Sequence, residues 1–264
     1  MLVLLPPSEG KETAGDGPPL DLSRLGRPRL TKTRERVLRA LERLCAGRET
    51  RALHVLGLSP GLAPDLALNR ALRTAPTLPA RRLYTGVLYD ALDLGGMDAA
   101  ALDRARGSVL IFSGLWGVLG VDDAVPPYRL SMGVALPRLG GLAALWRPVL
   151  TKQLDAEAAG RLVLDLRSST YAGAWRPAGD AADRTVAVRV LRETLVDGVP
   201  RRSVVSHMAK HTRGELAGAL LRAGTSPETP DELAKAAGEL GFTTELTPPP
   251  RPDRPWTLDI VIQT

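Results

Sequence analysis

The sequence predicts a mixed α/β (α+β) fold: a mixed central sheet flanked by helices, in a single domain covering residues 1–264. Three observations predict it. Short runs rich in Val, Ile and Leu alternate with amphipathic stretches of helical period. The chain has 264 residues, 44% hydrophobic and 24% charged, enough to bury a full core. No internal repeat or low-complexity tract breaks the alternation, and only the Pro-rich stretch 247–255 resembles a linker.

The elements follow in order. Met1-Leu-Val-Leu-Leu5 reads as a buried strand, and Pro6-Pro7 ends it because neither proline has an N–H for the ladder. Ser8, Glu9, Gly10 and Lys11 are then presented at the strand's carboxyl end, where open α/β sheets bind ligands. Residues 12–30 are rich in Gly, Pro and Asp and read as a long loop. Thr31–Gly47 reads as a helix with Val37, Leu38, Leu41, Leu44 and Cys45 on one stripe, closed by Gly47. Residues 50–75 hold two short helical stretches around a Gly-bearing turn. Such text is helix-hairpin-helix-like, its turn able to offer N–H groups to a phosphate, or is an ordinary helical hairpin.

Arg81–Asp93 reads as one polar-aromatic helix, Ser108–Phe112 as a buried strand, and Ser113–Gly120 as a Gly-rich turn. Leu139–Ala159 is helical with a bend expected at Pro148. Leu162–Leu166 is a strand, followed by Arg167–Tyr171, which can cap a helix. Val186–Leu191 and Ser203–Val205 read as strands, and Ser206 opens a helix running to about Arg222. Thr229-Pro230-Asp231-Glu232 is a capping box with Pro at the first helical position. Trp256–Gln263 alternates as a terminal strand.

Composition excludes several classes. The longest apolar runs fall far short of the roughly 20 residues of a membrane span, and no basic leader region precedes the first strand. One cysteine, Cys45, leaves no intramolecular disulfide and suits a reducing cytoplasm, the expected location. A net charge of +6 favours an anionic partner. The 35 basic residues comprise 30 arginines and only five lysines, however, so a solvated surface written in arginine accounts for the charge equally well. Lys32, Lys152 and Lys235 sit in amphipathic helical text. Lys11 and Lys210 sit in dense polar clusters, where a compact, titratable ammonium has a use.

There is no G-x-G-x-x-G, no P-loop and no paired cysteine. Ser8-x-x-Lys11 has the form of a Ser–Lys nucleophile pair, but that geometry needs a helical turn, which Pro6-Pro7 and Gly10 disfavour. His207 and His211 lie four apart and share a helix face. They are either ordinary surface histidines or ligands for a metal or a haem iron. Lys210 and Arg213 on the same helix suit a phosphate or carboxylate. Tyr128 and Arg129, after a Pro pair, either stack on a planar ligand or anchor a loop. All four tyrosines, Tyr84, Tyr89, Tyr128 and Tyr171, fall in such polar segments.

Taken in order, PPSEGK, LYTGVLYDAL, GVLG followed by PPYRLSMG, DLRSSTYAGAW and SHMAKHTRG resemble the YaaA family of peroxide-stress proteins, from Met1 to about Leu221. The resemblance implies a cytoplasmic α/β protein with a helix-hairpin-helix-like element and a positively charged cleft. It also implies DNA binding and protection from peroxide damage linked to iron. It marks Lys11, Tyr84, Gly86, Tyr128, Arg129, Met132, Gly133, Ser168, Tyr171, Lys210, Arg213 and Gly214. His207, Ser169 and Thr170 depart from the residues of many members. The expected site has Lys11, Tyr128 and Lys210 as catalytic groups and Ser8, Glu9, Tyr84, Arg129, Ser168, Tyr171 and Arg213 as ligand-binding groups. His207 and His211 are the candidate metal ligands. The expected partner is DNA or a purine-like small molecule bound in the cleft. The alternative is an enzyme using peroxide with iron or haem to oxidise such a molecule.

Overall fold

The first strand lies at the centre of the molecule. In the computed structural model, which describes residues 1–196, 199–204, 207–251 and 254–263, β1 (Leu2–Leu5) is buried at every position. Each of its apolar side chains contributes about 1.5–3 kcal/mol by leaving water. Both its edges are paired in parallel, with β2 (Val109–Ser113) on one side and, on the other, the strand Val163–Asp165. That placement explains why five apolar residues occur without alternation: a strand covered on both faces has no solvent side.

The other strands are β3 (Gly117–Leu119), β4 (the Val163–Asp165 strand), β5 (Thr185–Val196), β6 (Val199–Val204), β7 (Thr244–Thr247) and β8 (Trp256–Gln263). Their order is β7-β8-β5-β4-β1-β2-β3, with β6 antiparallel on the far part of β5. The central five strands are parallel, and β3 and β7 run antiparallel at the two ends. The expected mixed sheet is therefore present.

The helices are α1 (Thr31–Cys45), α2 (Glu49–Leu56), α3 (Asp65–Arg70), α4 (Val87–Leu92), α5 (Ala99–Ser108), α6 (Leu142–Ala158), α7 (Ser169–Ala172), α8 (His207–Ala223) and α9 (Pro230–Glu239), with short helical turns between them. α1 buries the predicted stripe and, beside it, Arg34. That guanidinium donates to the carbonyls of Gly26, Trp116 and Val118, so its charge is solvated by backbone rather than by a carboxylate. α2 and α3 flank a turn at Gly57, as expected of two short helices in this stretch. The capping box forms: the Thr229 hydroxyl accepts from the Glu232 N–H at 3.2 Å, with Pro230 first in the helix.

Several boundaries differ from the sequence reading. Arg81–Asp93 is two helices, Ala80–Leu83 and α4, because Gly86 takes φ 95°, which a side chain would resist, and the chain turns there. The Gly-rich stretch after β2 folds back as β3 rather than remaining a turn. β5 and β6 extend well beyond the predicted strands as a long hairpin, and α5 and β7 were not anticipated. Val205 and Ser206, read as a strand end and an N-cap, lie outside the described residues, as does the side chain of His207. No described helix is long and apolar enough to cross a membrane.

Candidate functional site

The chain leaves β1 toward β2 in one direction and leaves β4 toward β5 in the other. The carboxyl ends of β1 and β4 therefore flank a topological switch point, where the two connections diverge and leave a crevice. A cavity of about 500 Å³ occupies that place. Pro6–Glu9 after β1 form one wall; Ser168, Thr170 and Tyr171 after β4 form another. The first turn of α4 supplies Gly86–Tyr89, and α8 supplies Lys210 and Arg213, three apart and so on one face.

Each wall is held by local chemistry. Tyr89 donates its hydroxyl to the Pro6 carbonyl at 2.7 Å, tying α4 to the end of β1, and its ring stacks on Tyr84 with centroids 5.3 Å apart. Tyr171 is tied to the Ser131–Met132 segment, and its burial raises its phenol above the ordinary value while the Met132 N–H and the Ser131 hydroxyl lean the other way. Arg213 donates to the Val188 carbonyl at 2.8 Å, while its Nε–H is buried without a partner among the described residues. Burial lowers its guanidinium below the usual value, opposed by Asp165. Lys210 is exposed at the rim.

The expected site residues divide into two groups. Ser8, Glu9, Ser168, Tyr171, Lys210 and Arg213 converge on the cavity. Lys11, Tyr84, Tyr128 and Arg129 lie outside its lining and support it. The Tyr128 hydroxyl is fully buried between Ser113 Oγ at 2.6 Å and the Tyr84 hydroxyl at 2.9 Å. Arg129 is committed to two carboxylates, Glu9 at 2.9 Å and Asp65 at 3.7 Å, and Asn69 clasps its backbone. It lines a smaller neighbouring cavity that shares Glu9 and Ser131 with the first. His211 sits 3.1 Å from Glu215 on the outer face of α8 and does not line the cavity. Ser131 and Leu88 were missed as wall residues; both lie inside motifs singled out for their tyrosines, which was the available signal.

Lys11 folds back. Its ammonium donates to the Ser8 carbonyl at 2.7 Å and lies 4.5 Å over the Tyr128 ring, while its backbone bridges to Tyr84. The Pro-Pro-Ser-Glu loop is thus pinned from behind. Burial pushes this ammonium down to about 7, with Arg129 adding to the shift and Glu9 and Asp65 opposing it. The unfolded chain holds the same proton to about 10.4. Between these two values the unfolded state binds more protons, so stability climbs with pH on account of this group. Urea unfolding at neutral and at mildly alkaline pH is expected to show that climb in the wild type and a flatter response in Lys11→Met. Equal slopes in the two proteins would remove Lys11 from the pH dependence.

A largely parallel sheet with a polar cavity at its switch point defines an α/β protein with a candidate site at that place. The family model described as peroxide stress protein YaaA matches residues 1–245, and the chain belongs to that family. It is similar to the UPF0246 protein SCO2297 of Streptomyces coelicolor, 52% identical over 262 residues, covering 99% of this chain and 98% of the relative. It is also similar to UPF0246 proteins of Corynebacterium efficiens (42% over 250 residues, 93% and 95% of the two chains) and Corynebacterium glutamicum strain R (40% over 252 residues, 94% and 96%). The family expected from the motifs is the family found.

Proposed function

We propose that this YaaA-family protein serves the peroxide stress response by holding a nucleobase-like ligand, free or displayed by DNA, in the switch-point cavity, and that this limits oxidative damage. The observation that carries the reading is the pair Lys210 and Arg213, three apart on α8, both lining a recess of about 500 Å³. Two cationic side chains on one wall suit an anionic group of a ligand. The volume suits a small molecule. Tyr89 and Tyr171 supply flat rings with polar tips, and Ser8, Ser131, Ser168 and Thr170 supply hydroxyls for ring nitrogens and oxygens. A recess of this kind favours a single base or nucleotide over an intact duplex.

Calorimetric titration with AMP and with adenine tests this. Saturable AMP binding is expected, weakened about tenfold or more, or 1.4 kcal/mol, by Arg213→Gln and by Lys210→Ala. Lys210 is exposed and makes no side-chain hydrogen bond or ion pair among the described residues, so its variant separates lost binding from lost fold. AMP binding that is absent, or undiminished in both variants, would overturn the proposal. For the DNA form, affinity must fall steeply with salt as counter-ions are released; affinity indifferent to salt would sink it.

The iron or haem alternative has less support from the donor set. Among the described residues no three His, Cys, Asp or Glu side chains converge as a metal site, and His211 is turned to Glu215. That alternative rests on His207, whose side chain lies outside the described residues. An absorption spectrum of the purified protein with added haem, before and after peroxide, is its test.

A further inference from the structure

A second concavity, of about 750 Å³, lies away from the cleft, between the end of α1, the turn into α2 and the Pro137–Arg138 corner. Its basic side chains are Arg43, Arg48, Arg51, Arg138 and His54; among the described residues no carboxylate lines it. Several arginines elsewhere are held in ion pairs: Arg27 with Glu157, Arg73 with Glu35 and Glu42, Arg106 with Asp103 and Asp122, and Arg202 with Glu193 and Glu245. The four guanidiniums of this concavity make no ion pair or side-chain hydrogen bond with the described residues. Like charges gathered in one hollow repel one another, and no carboxylate among the described residues lines it.

The backbone adds an independent observation. Arg138 takes φ 66°, in the left-handed region where a side chain is unfavourable and glycine is the ordinary occupant. Gly140 stands two residues later at φ 77°, so glycine is used in this corner but not at 138. Strain kept at a residue whose side chain lines a charged hollow points to a use for that side chain.

We infer that this hollow is a binding site for a polyphosphate group. A single carboxylate or phosphate engages one or two guanidinium forks, whereas linked phosphates present several adjacent anionic oxygens to all four. The lining holds no Phe, Tyr or Trp on which a base would stack; its remaining residues include Ala40, Leu44, Thr50 and Pro137. Recognition therefore falls on the phosphates and not on a nucleobase. This site does not depend on the reading of the cleft.

Calorimetric titration of the full chain with inorganic triphosphate and with orthophosphate, at low salt, tests the assignment. One triphosphate site is expected, with orthophosphate far weaker. Arg51→Ala and Arg138→Gly each weaken triphosphate about tenfold. Arg138→Gly relieves the left-handed strain, so its melting temperature holds or rises and lost binding cannot be ascribed to lost fold. Arg36→Ala, an exposed arginine on α1 outside the hollow, leaves triphosphate binding unchanged. Three results overturn the inference: no saturation at millimolar triphosphate, an Arg36→Ala loss equal to that of Arg51→Ala, or binding of a short oligothymidylate that triphosphate fails to displace.

Discussion

Replacing Gly214 with alanine is expected to destabilise the protein by roughly 3 kcal/mol, at the upper end of ordinary overpacking costs. A Cβ at this position falls 2.1 Å from the Leu88 carbonyl oxygen and 3.0 Å from the Ala91 Cβ. The first of these is backbone of α4 and has no rotamer with which to yield, so α8 must withdraw. Alanine's better helix propensity returns up to about 1 kcal/mol, too little to change the sign. Withdrawal also displaces Leu88 and Tyr89 from the cleft wall, so AMP binding is expected to fall together with the urea midpoint. A loss below 1 kcal/mol would mean that the two helices do not pack this closely. Gly218, one turn on, meets the Leu92 carbonyl at 2.8 Å, and Gly218→Ala is expected to cost less.

The second large effect is expected at Arg167. Its side chain is 1% exposed and grips Asp165 with both forks, at 2.8 and 2.6 Å. It also donates to the Trp175 carbonyl and lies 4.4 Å over the Phe112 ring. Arg167→Met keeps the stem but strands the Asp165 carboxylate in a largely buried place, which costs about 3–5 kcal/mol. The double variant Asp165→Leu/Arg167→Met is expected to be less damaging than the sum of its two singles, because neither charge is left unpaired. Additive losses in a urea-unfolding cycle would contradict a coupled pair. Since Arg167 immediately precedes Ser168, the wall after β4 is expected to loosen along with it.

The parts of the fold that the sequence announced are those with a local signal. The β1 run, the α1 stripe and the Thr229 capping box each carry period or cap chemistry within a few residues, and each forms as expected. The misread parts depend on distant partners. β3 is three residues, recognisable as a strand only because β2 pairs with it. The break at Gly86 required knowing that Leu83 and Leu88 are buried on separate helices meeting different neighbours. The candidate site was legible as a set of segments, because the motifs at residues 6–11, 83–92, 165–175 and 206–214 all reach the cleft. Which side chain of each segment faces the cavity was not legible. Tyr128 and Lys11 carry the same residue chemistry as Tyr171 and Lys210, and only the path of the backbone sets one pair behind the wall and the other in front. Arg34 gave no sequence signal of burial at all; the Gly26 carbonyl and those of Trp116 and Val118 at β3 solvate it.

The central place of β1 also governs how the molecule assembles. β1 finds its partners only at residues 109–111 and 163–165, so it waits for a long stretch of chain to be made. Contacts of such sequence separation close late, since the entropy of long loops must be met before any strand pairing rewards it. Until then a wholly apolar strand is left unpaired on the growing chain, the kind of segment that invites aggregation or a chaperone. The same delay applies to the cleft, whose walls come from both residues 6–9 and residues 210–213. No early folding intermediate built from the N-terminal half alone has a complete binding cavity.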